Sequence, residues 1–191
     1  DTSAVGQDIF ITRFILNQSM TWSTFYGGDG IDEGLKIDYN DYIHITGYTR
    51  SGASFPIKNA GTYTKLPADS FNNAFILRFN GESNTSLIWA TGLRDTSNAY
   101  GTALNNITAT GQYGYHIILG GFSYGSKLSY FGGNPALLTS NGGVDGFIVH
   151  FSQPGVPEFE RFLGGSGNDY ITDLVSHSTG SIVTGYTNSV N

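Results

Sequence analysis

Residues Gly164–Thr172 read GGSGNDYIT, and two physical readings of that stretch lead to different proteins. Letter for letter it fits G-G-x-G-x-D-x-U-x, the calcium-binding nonapeptide of parallel β-rolls. It also fits a sharp turn between two strands of a repeated β unit, with glycines supplying φ > 0 and Asp169 accepting backbone N–H bonds as in an Asx turn. The turn reading is favoured. Calcium β-rolls share each ion between successive nonapeptides, whereas the other match here, GGDGIDEG from Gly27, lies 137 residues away. One isolated turn offers too few oxygens for a Ca²⁺ site. Asp29, Asp32 and Asp169 remain the weaker, alternative set of calcium ligands, and no cofactor is expected.

The same stretch belongs to an internal repeat. DIFITRF, NAFILRF and DGFIVHF share one pattern, with the first Phe at 10, 75 and 147, so 65 and 72 residues apart. IHITGYT, IILGGFS and SIVTGYT keep the same beat, and WSTFYGGDG, IWATGLRD and FERFLGGSG form a third set. Each block holds four to eight residues of Ile, Val, Phe, Tyr and Thr bounded by Gly, Asn or Asp, which is strand chemistry. No segment sustains a 3.6-residue apolar period. One unit therefore reads as four short antiparallel strands, the blade of a β-propeller. The expected fold is all-β, with a half blade over 1–33, complete blades over 34–98 and 99–169, and a complementary half blade over 170–191.

YGGDGIDEGLKIDYNDYIHITGYTRSGASFP (Tyr26–Pro56) and FLGGSGNDYITDLVSHSTGSIVTGYT (Phe162–Thr187) resemble the seven-bladed β-propeller (SBBP-type) repeat of secreted and cell-surface proteins. That repeat runs through a Gly-Gly-Ser-Gly-Asp-Asp turn, an Ile-Ala-Val-Asp strand and a Val-Tyr-Val-Thr-Gly strand. The middle copy departs from it, since Gly92-Leu93-Arg94-Asp95 has lost the double glycine. The resemblance implies an extracellular or cell-surface location and a longer ring than three blades' worth of strands can close. The half blades are expected to be completed by other blades of the same polypeptide or by neighbouring subunits, because unpaired strand edges must be covered.

Composition narrows the function classes. With nine Lys and Arg scattered through 191 residues and a formal net charge of −6, the chain lacks the clustered cations that bind a phosphate backbone, so nucleic acid is not expected. Cysteine is absent, which removes disulfides, thiolate metal sites and thiol nucleophiles. No apolar run reaches the ~18 residues of a membrane span. The chain opens with DTSAVGQDIF, which is not a signal peptide; a secreted protein would be seen here in mature or fragment form. Asn17, Asn84 and Asn106 head Asn-x-Ser/Thr sequons, candidate glycan acceptors in a eukaryotic secretory pathway.

No enzymatic motif stands out. His44 shares its repeat position with Ile118 and Ile182, so it reads as a packed side chain. His150 replaces Arg13 and Arg78, and His116 and His177 have no partner at metal-ligand spacing. Gly-x-Ser-x-Gly and phosphate-binding loops do not occur. The long connections after the Thr-Gly strands carry Phe55, Tyr63, Tyr130 and Phe131, which either present a binding face or, as with Phe55-Pro56, fold back as a cover. The expected function is a non-catalytic structural or adhesive module acting through protein–protein contacts, with a glycan-binding, lectin-like propeller as the alternative and a propeller enzyme such as a glycosidase the least favoured class.

Overall fold

Alternation of β-branched and aromatic residues between glycine-rich turns gives twelve strands in the computed structural model. It describes residues 6–17, 19–59, 66, 70–81, 86–93, 95–108, 115–126, 139–152, 156–177 and 180–190. The strands are β1 (Ile9–Phe14), β2 (Met20–Tyr26), β3 (Asp32–Asn40), β4 (Tyr42–Thr49), β5 (Asn73–Asn80), β6 (Leu87–Leu93), β7 (Ala99–Thr108), β8 (Tyr115–Ser123), β9 (Asp145–Ser152), β10 (Val156–Leu163), β11 (Asp169–His177) and β12 (Gly180–Thr187). They form four antiparallel sheets, β1-β2, β3-β4-β5-β6, β7-β8-β9-β10 and β11-β12. The fold is all-β, and among the described residues there is no α-helix.

The sheets pack face to face in chain order, with the core in three layers between them. Ile9 and Ile11 of β1 meet Phe75, Leu77 and Phe79 of β5. Ala74, Ile76 and Trp89 on the other face of that sheet meet Leu104, Leu119, Phe147, Val149 and Phe151. Ala103 and Ile118 then meet Ile171 and Leu174. Successive residues of a strand point to opposite faces, so β5, lying in an inner sheet, is buried over seven of its eight residues. In two of the sheets the first strand packs across the preceding sheet: β7 contacts β3, β4 and β5, and β11 contacts β7, β8 and β9.

One backbone hydrogen bond recurs at every junction between sheets. The N–H of Asp32, Ala99 and Asp169, each the first residue of its sheet's first strand, donates to the carbonyl of Gln7, Asn72 and Val144, just before the third strand of the preceding unit. Sheet β1-β2 is thus docked on its successor as the complete sheets are docked on theirs. It stands in the place of third and fourth strands.

A β-bulge also recurs. Pairing slips at Gly34/Lys36, Gly101/Ala103 and Ile171/Asp173, and the residues opposite are Gly47, Gly121 and Gly185. A Cβ at these glycines would lie 1.8 Å from the Glu33 carbonyl oxygen, 2.0 Å from that of Tyr100 and 1.8 Å from that of Tyr170. The crowding comes from the bulged strand of the same sheet, not from the neighbouring sheet. Gly47→Val is expected to lower stability by at least about 1–3 kcal/mol, the overpacking scale, read as a drop in the chemical denaturation midpoint.

Candidate functional site

The glycine turns come first, because their carboxylates decide the calcium question. Asp32 is fully buried, and its Oδ2 accepts from the N–H of Gly28 at 2.8 Å and from Ser51 Oγ at 2.6 Å. Ser51 Oγ in turn accepts from Gly30 N–H at 2.9 Å. The last repeat reproduces this network: Asp169 Oδ2 accepts from Gly165 N–H at 2.8 Å and Ser189 Oγ at 2.6 Å, and Ser189 Oγ accepts from Gly167 N–H at 2.9 Å. These hydrogen bonds, with that of Thr187 Oγ1, hold the Asp169 carboxyl below its ordinary range. Asp29 is exposed and lies outside the network.

The expectation of φ > 0 at the turn glycines is corrected. Among the described residues the positive-φ glycines are Gly52 and Gly180. Gly27 and Gly164 are needed for space instead, since a Cβ would lie 2.6 Å from Asp32 Oδ2 and 2.8 Å from Asp169 Oδ2 respectively. In the middle repeat Ala99 stands where Asp32 and Asp169 stand, and the carboxylate arrives from the turn: Asp95 Oδ2 accepts from Ser123 Oγ. A hydroxyl at the position of Ser51 is replaced there by Gly125, whose missing side chain leaves room for Asp95. The clamp survives with its parts exchanged.

The histidines fall into two environments. His44 is fully buried, and burial together with the Arg78 guanidinium pushes its imidazole down to about 3. His116 and His150, which lack sequence spacing as a signal, are brought together by the β8–β9 register. His150 Nε2 and His116 Nδ1 are 2.8 Å apart, and Glu158 lies 3.7 Å from His150 Nδ1. His116, read from the sequence as without a partner at metal-ligand spacing, thus gains one through the fold. Among the described residues these three form the one group of three or more such side chains close enough to share a metal ion. The ring nitrogens facing each other are already paired, and burial and His116 lower the His150 pKa. Arg78, at the equivalent position, stacks its guanidinium 3.8 Å over the Tyr42 ring.

The loop and sequon residues separate similarly. Phe55 is buried between Tyr26 and Phe75, with ring centroids 5.4 and 5.3 Å away, and Leu66 is buried over Gly92. They cover the sheet and present no binding face, which corrects the placing of Phe55 among the binding residues. Tyr63, Tyr130, Phe131 and Asn84 lie outside the described residues. Asn17 is exposed. Asn106 is buried on β7, its N–H donating to Asp38 Oδ2 at 2.8 Å, so its side chain has no room for a glycan in this fold. An aromatic row missed in the sequence runs across three sheets: Tyr48–Tyr100, Tyr100–Phe122, Phe122–Tyr170 and Tyr170–Tyr186, with centroids 4.5–5.1 Å apart.

Equivalent positions differ sharply in exposure. Phe10 is 72% exposed while Phe75 and Phe147 are 0%. Ile37 is 59% exposed against 1% and 6% for Leu104 and Leu174, and Ile182 is 71% against 0% and 8% for His44 and Ile118. Phe14, Phe159, Val175 and Tyr186 are exposed as well. All lie on the two half sheets or on faces that no further sheet covers. Between β1 and β3 there is a cavity of ≈ 380 Å³, lined by residues 7–12, residues 32–37 and Ile45. Patches of this kind mark interaction surfaces. No protein-family model matches the chain, and no match is found among curated proteins.

Two outcomes follow. Excess chelator is expected to leave the thermal midpoint unchanged, whereas Asp32→Ala should cost roughly 1.5–3 kcal/mol for lost charge-assisted hydrogen bonds; a large chelator-induced drop would assign the carboxylates to a bound ion. For His44 the folded state excludes a proton that the unfolded chain binds near pH 6.5, so its contribution is complete above pH 6.5 and is lost as pH falls toward about 3. Glu160, whose carboxyl burial raises to about 7, costs stability as pH rises through 4.5 to 7. Comparing variant with parent isolates the histidine: His44→Ile should gain on the parent by up to about 1.4 kcal/mol per pH unit below pH 6, measured by denaturation at several pH values.

Proposed function

We propose that this chain is a structural module of β-propeller blades on an extracellular or cell-surface protein, acting through protein–protein contacts and without catalysis. The single observation that carries the reading is the contrast between equivalent positions: the apolar side chains buried in complete sheets are exposed where a sheet stops halfway. Face-to-face packing of four-stranded antiparallel sheets, with the first strand of each at the hub, is the arrangement of propeller blades. Resemblance of the turn and strand repeats to the SBBP type favours the extracellular setting.

The physical demand is on the strand edges. A free edge exposes unpaired N–H and C=O groups beside apolar side chains, and completing the half sheets satisfies both at once. A glycan would satisfy neither, although the aromatic row offers stacking surfaces.

Sedimentation over a concentration range and a glycan array test the proposal together. Protein association that Phe10→Arg weakens at least tenfold, with no saturable glycan signal, is the expected result. A strictly monomeric chain that binds a glycan saturably would replace it with the lectin reading.

A further inference from the structure

We propose that His116, His150 and Glu158 form a binding site for a divalent transition-metal ion of the zinc class, with two imidazole nitrogens and one carboxylate oxygen as ligands. The site lies apart from the glycine turns and their carboxylates, and it goes beyond the protein-contact reading without depending on it. It is built across three neighbouring strands, with His116 on β8, His150 on β9 and Glu158 on β10. His150 faces Ile118 across the β8–β9 pairing, so His116, two residues back on the same face, meets it diagonally. Glu158 is the extra residue of a β-bulge, since Pro157 faces Phe151 and Phe159 faces His150. Bulges re-aim side chains, and this one holds a carboxylate oxygen 3.7 Å from His150 Nδ1.

The preceding four-stranded sheet holds a different trio at the same three positions. Tyr42 and Arg78 stand diagonally across β4–β5 as His116 and His150 do across β8–β9, and Ile88 is the bulge residue of β6. There Arg78 stacks its guanidinium 3.8 Å over the Tyr42 ring, and Ile88 packs against the core. A cation–π pair beside an apolar side chain meets the packing demands of the place and offers neither imidazole nor carboxylate. In the next sheet all three positions change together, and each changes to a side chain that ligates metals. Packing alone does not call for a carboxylate where Ile88 serves in the other sheet.

The distances suit zinc chemistry. His116 Nδ1 and His150 Nε2 are 2.8 Å apart, and one ligand atom from each of the three residues lies within 4.8 Å of the others. Ligand atoms on a tetrahedral ion, with bonds of about 2.0–2.2 Å, stand about 3.3 Å from one another. The two imidazoles therefore part by about half an ångström to admit the ion, and the half-exposed Glu158 closes the remaining distance on its rotatable side chain. In the metal-free chain a proton on one of the two facing nitrogens carries the bond between the rings. When the ion takes its place, that proton leaves for solvent and the same ring is reprotonated at its far nitrogen, so each histidine coordinates as neutral imidazole. Imidazole donors favour Zn²⁺, Co²⁺, Ni²⁺ or Cu²⁺ over Ca²⁺ and Mg²⁺, which take oxygen ligands. Three protein ligands leave a coordination position open, and the solvent-accessible His150 and Glu158 let water fill it. The ion ties β8, β9 and β10 together at one end of their sheet.

Calorimetric titration of Zn²⁺ into untagged chain freed of metal by dialysis, the state whose thermal midpoint chelator leaves unchanged, is expected to show one saturable site per chain. Zn²⁺ should also raise that midpoint, because an ion held only by the folded sheet stabilises it. His116→Ala, His150→Ala and Glu158→Gln should each weaken Zn²⁺ binding at least about tenfold, while His177→Gln, at an exposed residue outside the cluster, leaves it unchanged. The joint variant His116→Tyr with His150→Arg rebuilds the pair found at Tyr42 and Arg78, so it is expected to keep the fold, read by circular dichroism, and to lose the ion. In the parent chain, nitrogen NMR should show Zn²⁺ shifting His116 Nδ1 and His150 Nε2, a readout that needs no variant. Absence of saturable Zn²⁺ binding overturns the site and leaves a hydrogen-bonded histidine pair. Binding that survives the joint variant, or that leaves both histidine nitrogens unshifted, overturns it as well. Glu158→Gln binding as tightly as the parent overturns the three-ligand assignment.

Discussion

The N–H of Asp32, Ala99 and Asp169, given each time to a carbonyl just ahead of the preceding unit's third strand, sets how every sheet of this protein sits on the next. A backbone bond of this kind is indifferent to side chains, so it persists through the middle repeat, where the turn sequence has changed. It fixes the level at which strands begin. The three core layers then fall into register, because residues at equivalent places reach the same depth between sheets.

The turns secure that bond by two routes. In the outer repeats a buried aspartate collects an N–H from the glycine turn and a hydroxyl from the end of the second strand. In the middle repeat Asp95 reaches the Ser123 hydroxyl from the turn itself. A buried carboxylate requires donors around it; which residue supplies the carboxylate matters less than that one is present. The bulge opposite Gly47, Gly121 and Gly185 is the second constraint, and it also links sheets: bulged Thr102 donates from Oγ1 to the Ile171 carbonyl at 2.5 Å.

A repeated design lets equivalent positions be compared. Phe10, in a two-stranded sheet, is exposed where Phe75 and Phe147, in four-stranded sheets, are buried, and Ile37 and Ile182 differ from their equivalents in the same way. The cavity between β1 and β3 lies beside the two-stranded sheet that carries the exposed Phe10.

The sequence by itself determined the all-β class, the strands and their grouping, since glycine-bounded apolar runs and a repeat with Phe at 10, 75 and 147 are local signals. It also placed the aspartates of the turns. Only the tertiary structure decided why the glycines are there, because the carbonyl that would meet a Cβ at Gly47 comes from another strand. The same holds for Phe55, folded back into the core from a loop, and for Asn106, a sequon residue buried at a seam. His116 and His150 lie 34 residues apart in sequence and meet through strand register alone. Such pairings depend on which strands lie side by side and on what each sheet covers, quantities that no single segment of the chain encodes.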